Sequence, residues 1–200
     1  YRDWALKFMC EAPEEMLWTR WLAPECDRAR LEKNAVELTY QLRCAKGERV
    51  VVPGGIETVK TLVSRGYKVG VISDLIGTIE IDEWLDRDGL RPYFCTVQQS
   101  SVTMLRKPHP AIYFHALRES GVRPEESAFV GDNLDRDIVG AKASNFGATI
   151  AVEYEGAKKL RVTRENAPDG VISRFEQLLD VFPAAPAFCA DALEQRSVRE

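Results

Sequence analysis

The chain has 200 residues, 45% of them hydrophobic, which suits one ordinary domain or a core with a modest insertion and needs no disulfides to bury a core. Its formal net charge of -4 leaves no basic footprint, so nucleic acid is excluded as an expected partner. No apolar run approaches the ~20 residues of a membrane helix, and Lys7, Glu11 and Glu14 break the apolar cluster near the start, so neither a membrane span nor a secretory signal is expected.

Cys10, Cys26, Cys44, Cys95 and Cys189 form an odd set with no CxxC pair, which argues for reduced thiols in a cytoplasmic protein rather than a disulfide framework or a zinc site. The start at Tyr1, without Met, reads as a processed or truncated one.

Residues 3 to 46 lack β-type alternation. Trp4, Phe8, Leu17, Trp21 and Leu22 are spaced as on helices. Leu31, Ala35, Leu38 and Leu42 predict a second helical run over 25–45, with Pro24 at its natural start. The pattern changes at Val50-Val51-Val52, which ends on the breaker Pro53-Gly54-Gly55. Ile56, Val59, Leu62 and Val63 then give a helical face stopped by Gly66.

Strands are predicted over 68–73, 94–97, 127–131, 148–152 and 170–172. Helices are predicted between them over 78–88, around Ala111 to Leu117 with Gly121 as the stop, over 135–144, and finally over 174–182. Strands alternating with helices define an α/β protein with a parallel sheet, in which ligands bind beyond the carboxyl ends of the strands. The expected organisation is a helical unit over 1–48, an α/β core over 49–183 and a loose tail over 184–200.

Three segments carry chemistry, and each follows a predicted strand. They are VGVISD, ending at Ser73-Asp74; LRKPHPAIY, with Lys107 before Pro108; and FVGDNLDRDIVGA, with Asp132 and Asp137. In order and spacing they resemble the second, third and fourth motifs of the haloacid dehalogenase-like (HAD) hydrolase superfamily, over about residues 50–182. Residues 1–48 resemble its inserted helical cap.

The resemblance implies a Rossmannoid parallel sheet with helices on both faces. It also implies hydrolysis of a small phosphorylated molecule, a phosphomonoester, with Mg2+ and through an aspartyl-phosphate. Ser73, Asp74 and Lys107 would bind phosphate, with Ser73 and Lys107 in the catalytic machinery, and Asp132 and Asp137 would hold the metal. Elementary chemistry agrees. A serine hydroxyl beside backbone N–H groups at a helix start can take a phosphate oxygen, with Asp74 and Leu75 supplying N–H groups. A lysine ammonium suits a phosphate or a carboxylate, and paired carboxylates suit a hard cation. For an isolated residue the plainer readings are a helix N-cap at Ser73, a solvated Lys107 and a capped turn at Asp132. Asp135 reads as the cap of the following helix.

The family's first motif, a strand ending in Asp-x-Asp, has no convincing copy in this sequence, so no nucleophile is assigned. Asp86-Arg87-Asp88-Gly89 has the letters but follows Glu83-Trp84-Leu85, and reads as a helix end capped by Gly89. Phe188-Cys189-Ala190-Asp191 has too short an apolar lead-in. The resemblance therefore implies that the first, central strand is missing between the strands ending at Ser73 and Gly131. The chain is then expected to be an inactive, N-terminally truncated phosphohydrolase. A non-catalytic phosphate- or protein-binding relic and a dehalogenase or phosphonate-cleaving relative stay open, as do substrate identity and oligomeric state.

Overall fold

A computed structural model describes residues 1–47, 49–156 and 159–184. The tail expected beyond Ala184, including Cys189 and the Phe188–Asp191 stretch, lies outside the described residues. The four cysteines within them, Cys10, Cys26, Cys44 and Cys95, are free thiols.

The chain opens with α1 (Arg2–Phe8), α2 (Glu14–Leu17) running into a π-helical turn (Trp18–Leu22), and α3 (Arg28–Cys44). Asp27, not Pro24, starts α3: its carboxylate accepts a hydrogen bond from the Arg30 N–H at 2.8 Å, satisfying a donor that a helix start leaves open. The buried stripe of α3 is Leu31, Ala35 and Thr39. The Thr39 hydroxyl donates to the Ala35 carbonyl (2.8 Å) and accepts from the Trp18 indole (2.9 Å), so a polar residue sits in the α2–α3 seam at no cost in unpaired groups. Leu38 and Leu42 are only half-buried.

These helices join the rest of the chain at two places. Around Cys10 the backbone pairs with Met104–Arg106. Along α3, Tyr40 donates to Glu83 (2.6 Å) and Arg43 pairs with Glu80 (3.0 Å).

The α/β part runs α4 (Gly55–Ser64), β1 (Val69–Ser73), α5 (Glu80–Arg87), β2 (Phe94–Gln99), α6 (Ser100–Thr103), α7 (Pro110–Ser120) and β3 (Ala128–Gly131). It continues through a π-helical turn (Leu134–Ile138), α8 (Val139–Ala143), β4 (Ala148–Val152), β5 (Gly170–Ile172) and α9 (Leu178–Val181). Every strand pairing is parallel. The strands nevertheless form two sheets, β1–β2 and β3–β4–β5. Val50–Val52 forms no strand.

Packing on both faces holds the two sheets together. On one face, Val69 and Val71 of β1 pack with Val59 of α4 and Phe175, and Phe175 also packs with Val130 of β3 and Leu178 of α9. On the other face, Ile72 of β1 and Phe129 of β3 share a cluster with Ile112 and Tyr113 of α7. The alternation of 69 and 71 against 72, and of 130 against 129, is the two-residue period of a strand buried on both sides.

Where α7 meets α8, a Cβ on Gly140 would run into the Tyr113 ring, which is fully buried and donates its hydroxyl to the Arg136 carbonyl at 2.7 Å. Gly140→Ala is expected to destabilise the fold by ~1–3 kcal/mol through overpacking, although alanine is the better helix former. Urea unfolding of the variant measures it, and an unchanged midpoint would contradict the close approach.

Candidate active site

The carboxyl ends of β1 and β3 meet around one side chain. The Lys107 ammonium donates to the Ile72 carbonyl at 3.0 Å and pairs with Asp137 Oδ1 at 2.7 Å. The two side chains are 11% and 5% exposed, so this is a buried ion pair. The ammonium also lies 5.6 Å from the centre of the Phe129 ring.

Three local features hold Lys107 there. Asp74 Oδ1 accepts from the Lys107 backbone N–H at 3.0 Å. Pro110 opens α7 directly after His109, whose Nδ1 accepts from the Ala111 N–H, so the chain enters the helix only past the lysine. The Asp74 carboxylate is itself fixed by Arg136 (3.3 Å) and Arg106 (3.7 Å).

Asp137 is positioned by its own turn. Its Oδ2 accepts from the Asn133 N–H (3.0 Å), and Asn133 Oδ1 accepts from the Arg136 N–H (3.0 Å). The Asp137 side chain thus caps the Asn133 N–H, and the Asn133 side chain caps the Arg136 N–H, across the π-helical turn. Gly131 is required next to them, because a Cβ there would collide with the Asp137 carboxyl group. Asn133 therefore takes the capping place expected of Asp135, whose carboxylate instead accepts from the Asn166 amide at 2.9 Å.

Ser73 closes β1, half-buried. The helix predicted over 78–88 forms as α5, Glu80–Arg87, so no helix start lies directly against Ser73. Leu75 turns into the core and its N–H donates to Ser100 Oγ (2.8 Å), so that group is not free for an anion. The Asp74 side chain is likewise committed to Lys107 and the two arginines. What Ser73 and Asp74 can still offer an anion is the Ser73 hydroxyl and backbone N–H groups.

Asp132 follows β3 and is exposed, on the same groove as Lys107 and Asp137. Among the described residues, no three His, Cys, Asp or Glu side chains converge in a way that could hold a metal. Toward a hard cation the chain thus presents one uncommitted carboxylate, Asp132, while both Asp137 oxygens already face the ammonium and the Asn133 N–H. Magnesium is commonly held through one or two carboxylates completed by water and substrate phosphate, so Asp132 fits as a contributor but does not make a site.

Sequence reasoning did not find Glu11, Arg106 or Arg136. Glu11 is buried, accepts from Ser100 Oγ (2.8 Å) and forms a very short ion pair with Arg106. Burial, the largest influence, pushes its carboxyl above the ordinary value near 4.5, against the opposing pull of Arg106 and Ser100. The Asp86–Gly89 stretch is a helix end as expected, with Asp88 as the C-cap of α5 and Gly89 at φ 63°.

Residues 2–145 match the sequence profile of the haloacid dehalogenase-like hydrolases, and the chain belongs to that family. It is 34% identical over 134 residues to the glyceraldehyde 3-phosphate phosphatase of Methanopyrus kandleri, covering 64% of this chain and 55% of that protein. It is 38% identical over 133 residues to the protein of the same name from Pyrococcus furiosus, covering 65% and 53%. The chain therefore spans about half the length of these curated relatives. Among solved structures, a HAD phosphatase from Thermococcus onnurineus superimposes with a TM-score of 0.58 at 28% identity, over 67% of this chain and 59% of that one. A 2-haloacid dehalogenase from Pseudomonas syringae pv. tomato shares the fold more broadly, with a TM-score of 0.63 at 23% identity, over 90% and 86%.

Proposed function

We propose that this chain forms the phosphate- and lysine-bearing side of a phosphohydrolase site for a small phosphomonoester. The observation that carries the reading is the Lys107 ammonium, fixed between the Ile72 carbonyl and Asp137 at the carboxyl end of β1. One of its three N–H donors goes to the Ile72 carbonyl while its charge faces Asp137, which leaves donor capacity for a phosphate oxygen. Ser73, at the end of the same strand, would donate its hydroxyl to a second oxygen. Asp74 would act through Lys107, whose backbone it holds, and Asp137 would keep the ammonium aimed and charged. Asp132 would contribute to Mg2+, which when bound would neutralise charge on the phosphate. The curated relatives whose names specify phosphatases support the phosphate assignment. The free thiols support a cytoplasmic setting.

Among the described residues no carboxylate is assigned as the nucleophile. The 200-residue chain is therefore expected to bind inorganic phosphate weakly, in a Lys107-dependent way, and to release no p-nitrophenol from p-nitrophenyl phosphate in the presence of Mg2+. Titration followed by phosphorus NMR, with Lys107→Met as the comparison, checks the binding. Turnover abolished by Asp132→Ala would show that a nucleophile has gone unidentified, and phosphate binding unchanged in Lys107→Met would overturn the site. The same missing assignment favours a second reading, a phosphate-binding protein without catalysis.

A further inference from the structure

One cation at the carboxyl end of β1 is not needed to hold a phosphate on Ser73 and Lys107. Arg136 stands in the π-helical turn between Asp135 and Asp137, and neither neighbour is its partner. Asp135 accepts from the Asn166 amide, and Asp137 faces Lys107. The Arg136 backbone is held from both sides. Its N–H donates to Asn133 Oδ1 (3.0 Å), and its carbonyl accepts from the hydroxyl of the fully buried Tyr113 (2.7 Å). Among the described residues its guanidinium makes one ion pair, Nη1 with Asp74 Oδ2 at 3.3 Å. That is longer than a close charge-assisted hydrogen bond, and most of the five N–H donors of a guanidinium remain for a ligand.

Asp74 fixes where that guanidinium lies. One carboxylate oxygen takes the Lys107 backbone N–H and the other takes Arg136, so the arginine stands beside the lysine, against the residue that follows Ser73. Exposure orders the three cations there. The Lys107 side chain is 11% exposed, Arg106 13% and Arg136 34%. Arg106 is closed in between Glu11 and Asp74. Lys107 is therefore the inner cation, and Arg136 is the outer one with donors to spare.

We infer that Arg136 determines specificity by binding a carboxylate on the organic part of the substrate, so that the site takes acidic phosphomonoesters. This rests on the phosphate reading. With the phosphate drawn to Ser73 and Lys107, the organic part points outward, past the more exposed guanidinium. A planar guanidinium matches a carboxylate with two parallel N–H···O bonds, and Asp74 shows that this one already faces such a group. The locked backbone of Arg136 lowers the cost of ordering the contact. A neutral organic part leaves these donors to water and gains nothing from them.

Carboxymethyl phosphate and ethyl phosphate, matched in size and differing in the carboxylate, test this. They are titrated into the 200-residue chain by phosphorus NMR at neutral pH with no metal added, so that chelation cannot mimic the effect. The wild type should bind carboxymethyl phosphate about tenfold more tightly, the scale of one hydrogen bond between charged groups. That preference should vanish in Arg136→Met. Arg136→Lys, which keeps the charge without the fork, should retain part of it and serves where the methionine variant does not fold. Lys107→Met should weaken both ligands by the same factor, because they share the phosphate. Equal, Lys107-dependent binding of the two ligands by the wild type would overturn the role of Arg136 and leave the phosphate reading intact. A preference that survives in Arg136→Met would overturn it as well, since the guanidinium would then act on the phosphate or on Asp74 alone. Binding of neither ligand in a Lys107-dependent way would overturn the phosphate reading, and the role of Arg136 with it.

Discussion

Replacing Asp137 by leucine is expected to lower the stability of this chain by ~3–5 kcal/mol, the usual consequence of stripping one partner from a buried ion pair. For a chain of this size that corresponds to a fall in Tm of about 10 °C. The loss has two sources. Lys107 keeps only the Ile72 carbonyl, and the Asn133 N–H loses the carboxylate oxygen that satisfies it. Lys107→Met breaks the same pair and also frees the Ile72 carbonyl, leaving the Asp137 charge buried but the Asn133 N–H satisfied, so it too should cost ~3–5 kcal/mol. The double variant should be less destabilised than the two single losses combined, because methionine and leucine leave no buried charge behind. Asp137→Asn keeps an oxygen for Asn133 and should fall between wild type and Asp137→Leu. Urea unfolding of the wild type, the two single variants Asp137→Leu and Lys107→Met, and their double variant measures the coupling, and strictly additive losses would mean that the two side chains do not act as a pair.

The parts of this site that local sequence reveals are those built from strand ends. The runs KVGVIS and SAFVG are short, β-rich and bounded by breakers, so the ends of β1 and β3, and with them Ser73 and Asp132, were placed to within a residue. β2 runs further than its apolar letters suggest, to Gln99 rather than Val97. Gln98 and Gln99 read as loop residues, yet both are buried, and the Gln98 amide donates to Thr96 and Glu119. The helix expected over 135–144 begins instead as a π-helical turn at Leu134, in which Asp137 caps the Asn133 N–H and Asn133 the Arg136 N–H. That exchange is chemically visible in the letters only once Asp137 is known to face inward. What the letters after Ser73 do not reveal is tertiary: Ser100, 25 residues from Leu75, takes the Leu75 N–H that would otherwise be free for an anion. The gap between β1 and β3 was legible only by resemblance, since no property of the strands themselves counts their neighbours.

The contact of Glu11 with Arg106 spans 95 positions and has no local signature. Its energetics should nonetheless be prominent. Arg106 faces two carboxylates, Glu11 and Asp74, and is 13% exposed. Arg106→Met should therefore cost ~3–5 kcal/mol at neutral pH, and the cost should depend on pH. Burial already raises the Glu11 carboxyl above its ordinary 4.5, while the Arg106 charge and hydrogen bond pull it down. Removing Arg106 lifts it further. A carboxyl whose folded pKa lies above its unfolded value binds more protons in the folded state, so stability falls as pH rises between the two values. In the variant that interval extends to higher pH than in the wild type. The deficit should be smallest below pH 4.5, where Glu11 is protonated in both states, and should grow as pH rises through the folded pKa. Urea unfolding of both proteins in buffers from just below 4.5 to neutrality reads this directly. A deficit independent of pH would show that Glu11 is not what Arg106 holds.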